Sequence, residues 1–473
     1  MRSEHYIGGR WSSAGDGTFN SVLDPYNGEV VARIPHAAAA QMDQAIAAAH
    51  GARAELAALP AEERADRLER LAEAIAERHE DLAQLIRREA GKPIAYARTE
   101  VSRGITTVKL AAAEARRLKD EVIDVDYDAG KGRTAIVRRI PVGPVAAITP
   151  FNFPLNLVLH KVAPALAMGC PVVLKPAPQA PLTALALAEL IDTLDLPPGS
   201  FNVVVCGNEV AERLVTDARM AMLSFTGSDK VGWKLKSISG KKKVALELGG
   251  NAAVIVDEGA DLAATAKSVA YGAYLYAGQI CISTQRIYAV DAVFEAFRER
   301  LVEEVDKVVS GDPAKDDVVN GPLIDDHHFA RIGTWVSEAQ EAGAEVLCGG
   351  RPLDAAHRLY APTLLTGTDP AMKVNGEEVF GPVAVLERAT DLNEAIRLVN
   401  DSRYGLQAGV FTPNEAHVRQ AFAELQVGGL IINGVPGFRV DGMPYGGVKD
   451  SGLGREGPRY AMQEMSEPRV LIY

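Results

Sequence analysis

From residue 145 onward the chain alternates short apolar runs with stretches of helical periodicity, and no other feature limits its fold as strongly. The runs at residues 145–148, 172–174, 201–205, 222–225 and 244–248 are rich in Val, Leu and Phe, and a helix-length segment separates each from the next. Strands that alternate with helices run parallel, because the chain must cross back between them. Runs apolar on both sides are buried on both faces. A second series begins at 252–256, passes through 383–385 and ends at 430–432. Two such series predict two α/β domains with a cleft between them. The 473 residues, 47% of them hydrophobic, are enough for two or three domains with large cores.

The N-terminal third reads differently. Leu68, Leu71, Ile75, Leu82 and Leu85 recur at helical spacing, which predicts one amphipathic helix over 61–90, stopped by Gly91 and Pro93. A second helix is expected over 99–118, with Arg103 near its start. Residues 122–140 alternate, turn at Asp128-Ala129-Gly130-Lys131-Gly132 and resume, the pattern of a β-hairpin.

Three short elements carry chemistry. In Gly278-Gln279-Ile280-Cys281 a thiol sits between isoleucines. Upstream, Leu246-Glu247-Leu248-Gly249-Gly250 sets a carboxylate in apolar sequence. Thiolate attack on a carbonyl followed by base-assisted hydrolysis needs this pair. Either residue alone also fits a small core side chain or a satisfied structural carboxylate. The third element, Pro150-Phe151-Asn152-Phe153-Pro154, holds an amide between prolines after a strand. Asn152 there suits donation to a developing oxyanion, or the capping of a helix that starts near Asn156. Phe225-Thr226-Gly227-Ser228 ends a strand and opens a helix, a place where backbone N–H groups attract phosphate. The Gly-x-Gly-x-x-Gly fingerprint is missing after the first strand.

Taken in order, these motifs resemble the NAD(P)-dependent aldehyde dehydrogenase superfamily, together with Lys175-Pro176-Ala177, Glu378-Val379-Phe380-Gly381-Pro382 and Pro444-Tyr445-Gly446-Gly447. The detailed likeness is to its lactaldehyde dehydrogenase-like branch, through residues 278–286, 404–409 and 447–449. The resemblance implies an α/β fold of two Rossmann-type parallel-sheet domains plus a small β oligomerisation element. The expected division is 1–118 with 141–248 for cofactor binding, 249–447 for catalysis, and 119–140 with 448–473 for assembly into a homodimer or homotetramer. It makes Cys281 the nucleophile, Glu247 the base that activates water, and Asn152, with the Cys281 backbone N–H, the oxyanion donor. The cofactor site it implies comprises Ile148, Thr149, Pro150, Phe151, Lys175, Ala177, Pro178, Thr226, Gly227, Ser228, Val231, Leu248, Glu378 and Phe380. Lys175 would hold the adenosine ribose and Glu378 the nicotinamide ribose. NAD is the expected cofactor, with NADP possible: Pro178 stands where strongly NAD-selective relatives often carry a glutamate that repels a 2′-phosphate. The reaction implied is oxidation of an aldehyde to a carboxylate through a cysteine thioester.

Arg103, His160 and Arg439 are the candidates for the substrate pocket, and they would favour a small anionic or hydroxylated aldehyde. Arg286 reads as structural. The rival enzymes are a coenzyme A-acylating dehydrogenase, which would not need Glu247 to activate water, and a thiol esterase or protease, for which Cys281 lacks a nearby His. A non-catalytic binding or structural protein on the same scaffold would leave Cys281, Glu247 and Asn152 idle. A net charge of −12 argues against nucleic acid and membrane surfaces as partners. Cys170, Cys206, Cys281 and Cys348 show neither metal-ligand nor disulfide spacing, so no metal is expected and a reducing cytoplasm is. The polar stretch 1–13 does not read as a signal peptide, and no apolar run reaches membrane-spanning length.

Overall fold

A computed structural model describes residues 2–473. The five predicted strands of the first series are Val145–Ile148, Val172–Lys175, Phe201–Val203, Met222–Thr226 and Lys243–Glu247. They lie parallel, and across the sheet their order is third, second, first, fourth, fifth. That order reverses between Val145–Ile148 and Met222–Thr226. The segments leaving the C-terminal ends of these two strands diverge to opposite faces and open a crevice, the usual ligand position in such sheets. The loop carrying Asn152 and the turn Thr226-Gly227-Ser228 leave from those two ends. The antiparallel strands His5–Ile7 and Arg10–Ser12 extend one edge, and Gly452–Leu453 closes the other against Lys243–Glu247.

The second sheet contains Ala253–Val256, Arg286–Val290, Val383–Ala389, Gln407–Phe411 and Gly429–Ile432, all parallel, with Thr363–Thr366 and Glu345–Cys348 at one side. A third, antiparallel sheet joins Glu121–Ile123, Ala135–Pro141 and Ser466–Ile472. The predicted hairpin is therefore present but short-armed. Asp124 and Asp126 do not extend it, because their carboxylates accept from the N–H groups of Asp126 and Gly132 and bend the chain instead. The C-terminal stretch 448–473 divides: Gly452–Leu453 pairs with the first sheet, the helix Pro458–Glu464 packs on the helices Asn156–Met168 and Ile94–Arg117, and Ser466–Ile472 joins the third sheet.

Two helix expectations are corrected. Residues 61–90 form two helices, Ala61–Glu77 and His79–Ala90, broken where Arg78 leaves helical geometry at φ −103°, ψ 22°. No Gly or Pro marks the break, and Ile75 and Leu82 keep helical spacing across it, so the periodicity conceals it. The next helix is Ile94–Arg117, which begins directly after Pro93 and places Arg103 well inside it. Gly91, left-handed at φ 65°, ends the earlier helix, and Pro93 caps the start of the next, where its missing N–H costs nothing. Among the described residues, no helix is long and apolar enough to cross a membrane, and no three His, Cys, Asp or Glu side chains gather as for a metal ion.

Candidate active site

Asn152 lies in the crevice loop and is buried. It does not cap the helix Asn156–Met168. That task falls to Glu100, whose Oε1 accepts from the backbone N–H of Leu155 at 3.0 Å and of Asn156 at 3.1 Å. Asn152 is thus left free to turn toward Cys281. Its Nδ2 donates to the Gln279 carbonyl at 2.9 Å and keeps a second hydrogen.

Cys281 follows a turn in which Tyr276 and Ala277 both adopt left-handed backbone, at φ 54° and 53°. Gly278 continues it at φ 66°, and a Cβ there would stand 2.1 Å from the Gly381 carbonyl oxygen. Gly250 is required for a similar reason: its Cβ would lie 2.2 Å from the Cys281 carbonyl oxygen. The glycines noticed in the sequence therefore let three backbone segments approach one another around the thiol. Cys281 Sγ lies 3.1 Å from Tyr445 Oη. Burial pushes the thiol up to about 12, partly opposed by that hydrogen bond.

Glu247 is the last residue of its strand and is buried, and its Oε2 has no hydrogen-bond partner. Burial, reinforced by the nearby Glu456 carboxylate, raises its pKa well above the ordinary carboxylate range. A carboxylate so placed is protonated more readily than one in water. Asn152, Glu247 and Cys281 all line one cavity of about 330 Å³, together with Glu378 and Phe380.

A second cavity, of about 480 Å³, shares Pro150, Phe151, Thr226, Gly227 and Ser228 with the first and extends to Ile148, Thr149, Lys175, Ala177, Pro178 and Val231. With Leu248 in the first cavity, every residue expected to touch a dinucleotide lines one or the other. Phe380, at φ 48°, meets Phe151 edge to face at 5.9 Å where the two join. The polar groups here fit a ribose- and phosphate-bearing ligand. The Thr149 and Thr226 hydroxyls are buried without a partner. Lys175 is buried, which lowers its pKa, and it makes no ion pair among the described residues. Glu378 uses one oxygen to accept from Gly250 N–H at 2.9 Å, and burial raises its pKa to about 7.

On the other side of Cys281 a small cavity of about 30 Å³ is lined by Tyr96, Arg103, Phe153, Arg439 and Tyr445. Arg103 and Arg439 reach it. His160 does not line it: the ring is fully buried, with Nε2 2.9 Å from Asp441 Oδ1. Asp441 also holds Arg103 through Nη2 at 2.8 Å and Nε at 3.2 Å, and accepts from Asn156 Nδ2 at 3.0 Å. Burial alone would raise the Asp441 pKa, but the hydrogen bonds from His160 and Arg103 hold it well below the usual range. Arg439 donates to Glu456 Oε2 at 3.1 Å, and Glu456 Oε1 accepts from Lys161 at 3.0 Å. The expected cationic entrance is therefore largely neutralised from within. Arg286 binds the carbonyls of Asn251, Leu398 and Val399 and is structural.

Asp441, Glu456, Lys161, Glu100 and the Tyr445 hydroxyl escaped the sequence reading. A hint was present for two: Asp441 is two residues from Arg439, and Glu456 sits in the glycine-flanked run Gly454-Arg455-Glu456-Gly457.

Residues 11–471 match the aldehyde dehydrogenase family. A 3-sulfolactaldehyde dehydrogenase of Priestia aryabhattai is 42% identical over 469 residues, 99% of this chain and 97% of the relative. A lactaldehyde dehydrogenase of Methanocaldococcus jannaschii is 39% identical, covering 99% of both chains. Among solved structures, aldehyde dehydrogenase 21 of Physcomitrella patens, in complex with the reaction product succinate, superposes with a TM-score of 0.96 at 40% identity, over 99% of this chain and 98% of that one. From its sheets, its crevice and these likenesses along nearly its whole length, the chain belongs to the aldehyde dehydrogenase family.

Proposed function

We propose that this protein oxidises a small polar or anionic aldehyde to the carboxylate with NAD(P)+, through a thioester on Cys281. The observation that carries the reading is the convergence of Asn152, Glu247 and Cys281 on one cavity that continues into the cavity holding Lys175. The Cys281 sulfur, its proton released to water in the cavity, forms a bond to the aldehyde carbon as the carbonyl π bond opens to an oxyanion. The free N–H of Asn152 and the Cys281 backbone N–H serve the oxyanion. The dinucleotide, when bound, supplies the hydride acceptor. Lys175 and Glu378 would hold its two riboses, with Thr226, Gly227 and Ser228 at the phosphates. Glu247 takes a proton from water as the new C–O bond forms and the C–S bond breaks. Water as acceptor, rather than coenzyme A, is what gives Glu247 a task. Pro178 presents no carboxylate to a 2′-phosphate, so either dinucleotide is accommodated; a glyceraldehyde-3-phosphate dehydrogenase of Methanocaldococcus jannaschii, 38% identical, was solved with NADP.

The substrate class is supported by Arg103 and Arg439 on the small cavity and by the sulfolactaldehyde and lactaldehyde specificities of the named relatives. The first sheet with 1–118 and 141–248 would bind the cofactor, 249–447 would supply the nucleophile, and 119–140 with the C-terminal strand would assemble a homodimer or homotetramer. Support for assembly comes from the exposed apolar Val122, Val470, Leu471 and Ile472 of the third sheet. Four free cysteines suit a cytoplasmic setting. Assays of short aldehydes, anionic, hydroxylated and plain, with NAD and NADP separately, test the function. Absence of aldehyde-dependent reduced cofactor across the panel would overturn it. Light scattering tests the assembly, which a stable monomer at micromolar concentration would refute.

A further inference from the structure

Cys281 presents a difficulty that the residues of the proposed reaction do not resolve. Its half-buried side chain packs with Ile280, Ile282 and aromatic rings, and a thiol pushed up to about 12 is almost wholly protonated at neutral pH. The titratable and charged groups that face it come from four segments. Glu247 at the end of its strand and Glu378 in the same cavity both oppose a thiolate. Tyr96 and Arg103 stand on the helix Ile94–Arg117, and Arg103 is tied to Asp441. Arg439 and Tyr445 come from the loop after the last parallel strand. Of these, only Tyr445 is hydrogen-bonded to the sulfur, with Oη at 3.1 Å.

We propose that Tyr445 is a catalytic residue: its phenolic O–H donates to the Cys281 sulfur and stabilises the thiolate as it forms, the thiol proton passing to water in the cavity. The assignment rests on Cys281 being the nucleophile. Three features of the geometry support it. The phenol is buried and is held in its protonated, donating form, since burial drives its own ionisation far above the ordinary range. An O–H donating to an anionic sulfur is a charge-assisted bond, stronger than a bond between neutral partners. Behind the ring, the Arg439 guanidinium carbon lies 3.7 Å from the ring centroid, with its side chain only 7% exposed. A cation on the ring face draws electron density from the phenol and makes it a better donor, and Glu456 anchors that cation. Arg439 thereby acts through Tyr445, as a positioning residue, as well as lining the small cavity.

The test is the pH dependence of Cys281 alkylation by iodoacetamide in the full chain, read by mass mapping of the modified peptide, for the wild type and Tyr445→Phe. Losing a charge-assisted hydrogen bond should slow alkylation at neutral pH about tenfold and move its midpoint up by about one pH unit. Turnover should fall by a similar factor at neutral pH and recover in alkali, with cofactor affinity unchanged. Superimposable alkylation profiles would overturn the proposal. A structural role alone would lower thermal stability without moving the profile. Should Tyr445→Phe fail to fold, 3,5-difluorotyrosine placed at 445 keeps the ring and strengthens the donor. The midpoint should then shift down, and no shift would overturn the proposal. Alkylation does not require turnover. A wild type inactive on every aldehyde therefore breaks the reading of the site, whereas unmoved profiles in an active enzyme break only the role of Tyr445.

Discussion

Cys281 separates two regions whose polar groups are arranged in opposite ways. Toward the dinucleotide cavity, Lys175 has no ion-pair partner among the described residues, Glu378 has spent one oxygen on Gly250, and the Thr149 and Thr226 hydroxyls are buried without partners. Toward the small cavity the cations are already paired, Arg103 with Asp441, and Arg439 and Lys161 with Glu456, while the His160 ring, whose pKa burial lowers, is bonded to Asp441. Buried polar groups left unsatisfied are costly, so the first region is built to be completed by a polar ligand. In the second region the charges are balanced without one, and the atoms left without partners are Arg439 Nε and His160 Nδ1. Its arginines are held rigidly, and what they offer a substrate is geometry and residual hydrogen bonds more than open positive charge. The lesson is that a count of cationic side chains does not describe a pocket. Their carboxylate partners decide how much of that charge a ligand meets.

The sharpest way to separate the two regions is Cys281→Ala. It should abolish aldehyde-dependent formation of reduced cofactor while leaving dinucleotide affinity, measured by calorimetry, nearly unchanged. Joint loss of both would mean that the regions are one cooperative unit. Next in size is Glu247→Gln, which removes the base for water. A carboxamide should slow thioester hydrolysis by roughly 10²–10⁴-fold. Rapid mixing should therefore show one turnover of reduced cofactor followed by a slow steady state. Because the Glu247 pKa is raised and the carboxylate is the active form, wild-type hydrolysis should speed up as pH rises through that pKa. If the burst vanishes instead, Glu247 is needed to activate Cys281.

Asp441→Asn tests the pairing on the aldehyde side. Removing one partner of a buried pair costs about 3–5 kcal/mol, visible as a drop in Tm. The folded-state pKa of Asp441 lies below its unfolded value of about 3.9, so its contribution is full above that pH and is lost as pH falls below it. The Tm gap between variant and wild type should accordingly be widest at neutral pH and close in acid. A gap independent of pH would mean that Asp441 acts through packing and not charge.

Smaller effects distinguish the arginines. Arg103→Met should raise KM about tenfold for an anionic aldehyde and spare a neutral one of equal length. Arg439→Ala is a blunter probe, because it strands Glu456 and uncovers the Tyr445 ring, and it should impair both substrates. An Arg439 variant selective for anionic aldehydes would show that its charge faces the ligand after all. The smallest expected change is Pro178→Glu on the dinucleotide side. A partly exposed carboxylate there should weaken NADP about fivefold and leave NAD alone. Equal loss of both would indicate that Pro178 shapes the loop and does not discriminate.

Much of this molecule was legible before its fold. Apolar runs of strand length separated by helices specified parallel sheets, and Glu247, Asn152 and Cys281 stood out because each sits at the end of such a run or in a Gly- or Pro-marked bend. These are local signals, carried by a few neighbouring residues. The break at Arg78 was hidden because helical spacing continues across it. The edge strand Gly452–Leu453 was hidden because two residues carry no periodicity.

The pairing of charge was also beyond local reading. Arg103 meets Asp441 across 338 residues of sequence, His160 meets the same carboxylate across 281, and Lys161 meets Glu456 across 295. The same holds for Tyr445 and Cys281, 164 residues apart. The sequence by itself determined the strands, the candidate nucleophile and base, and the glycines that let their segments meet. Only the tertiary structure decided which charges remain free for a ligand. Backbone periodicity depends on near neighbours, whereas the state of a buried ionisable group depends on whatever the fold brings within a few ångströms.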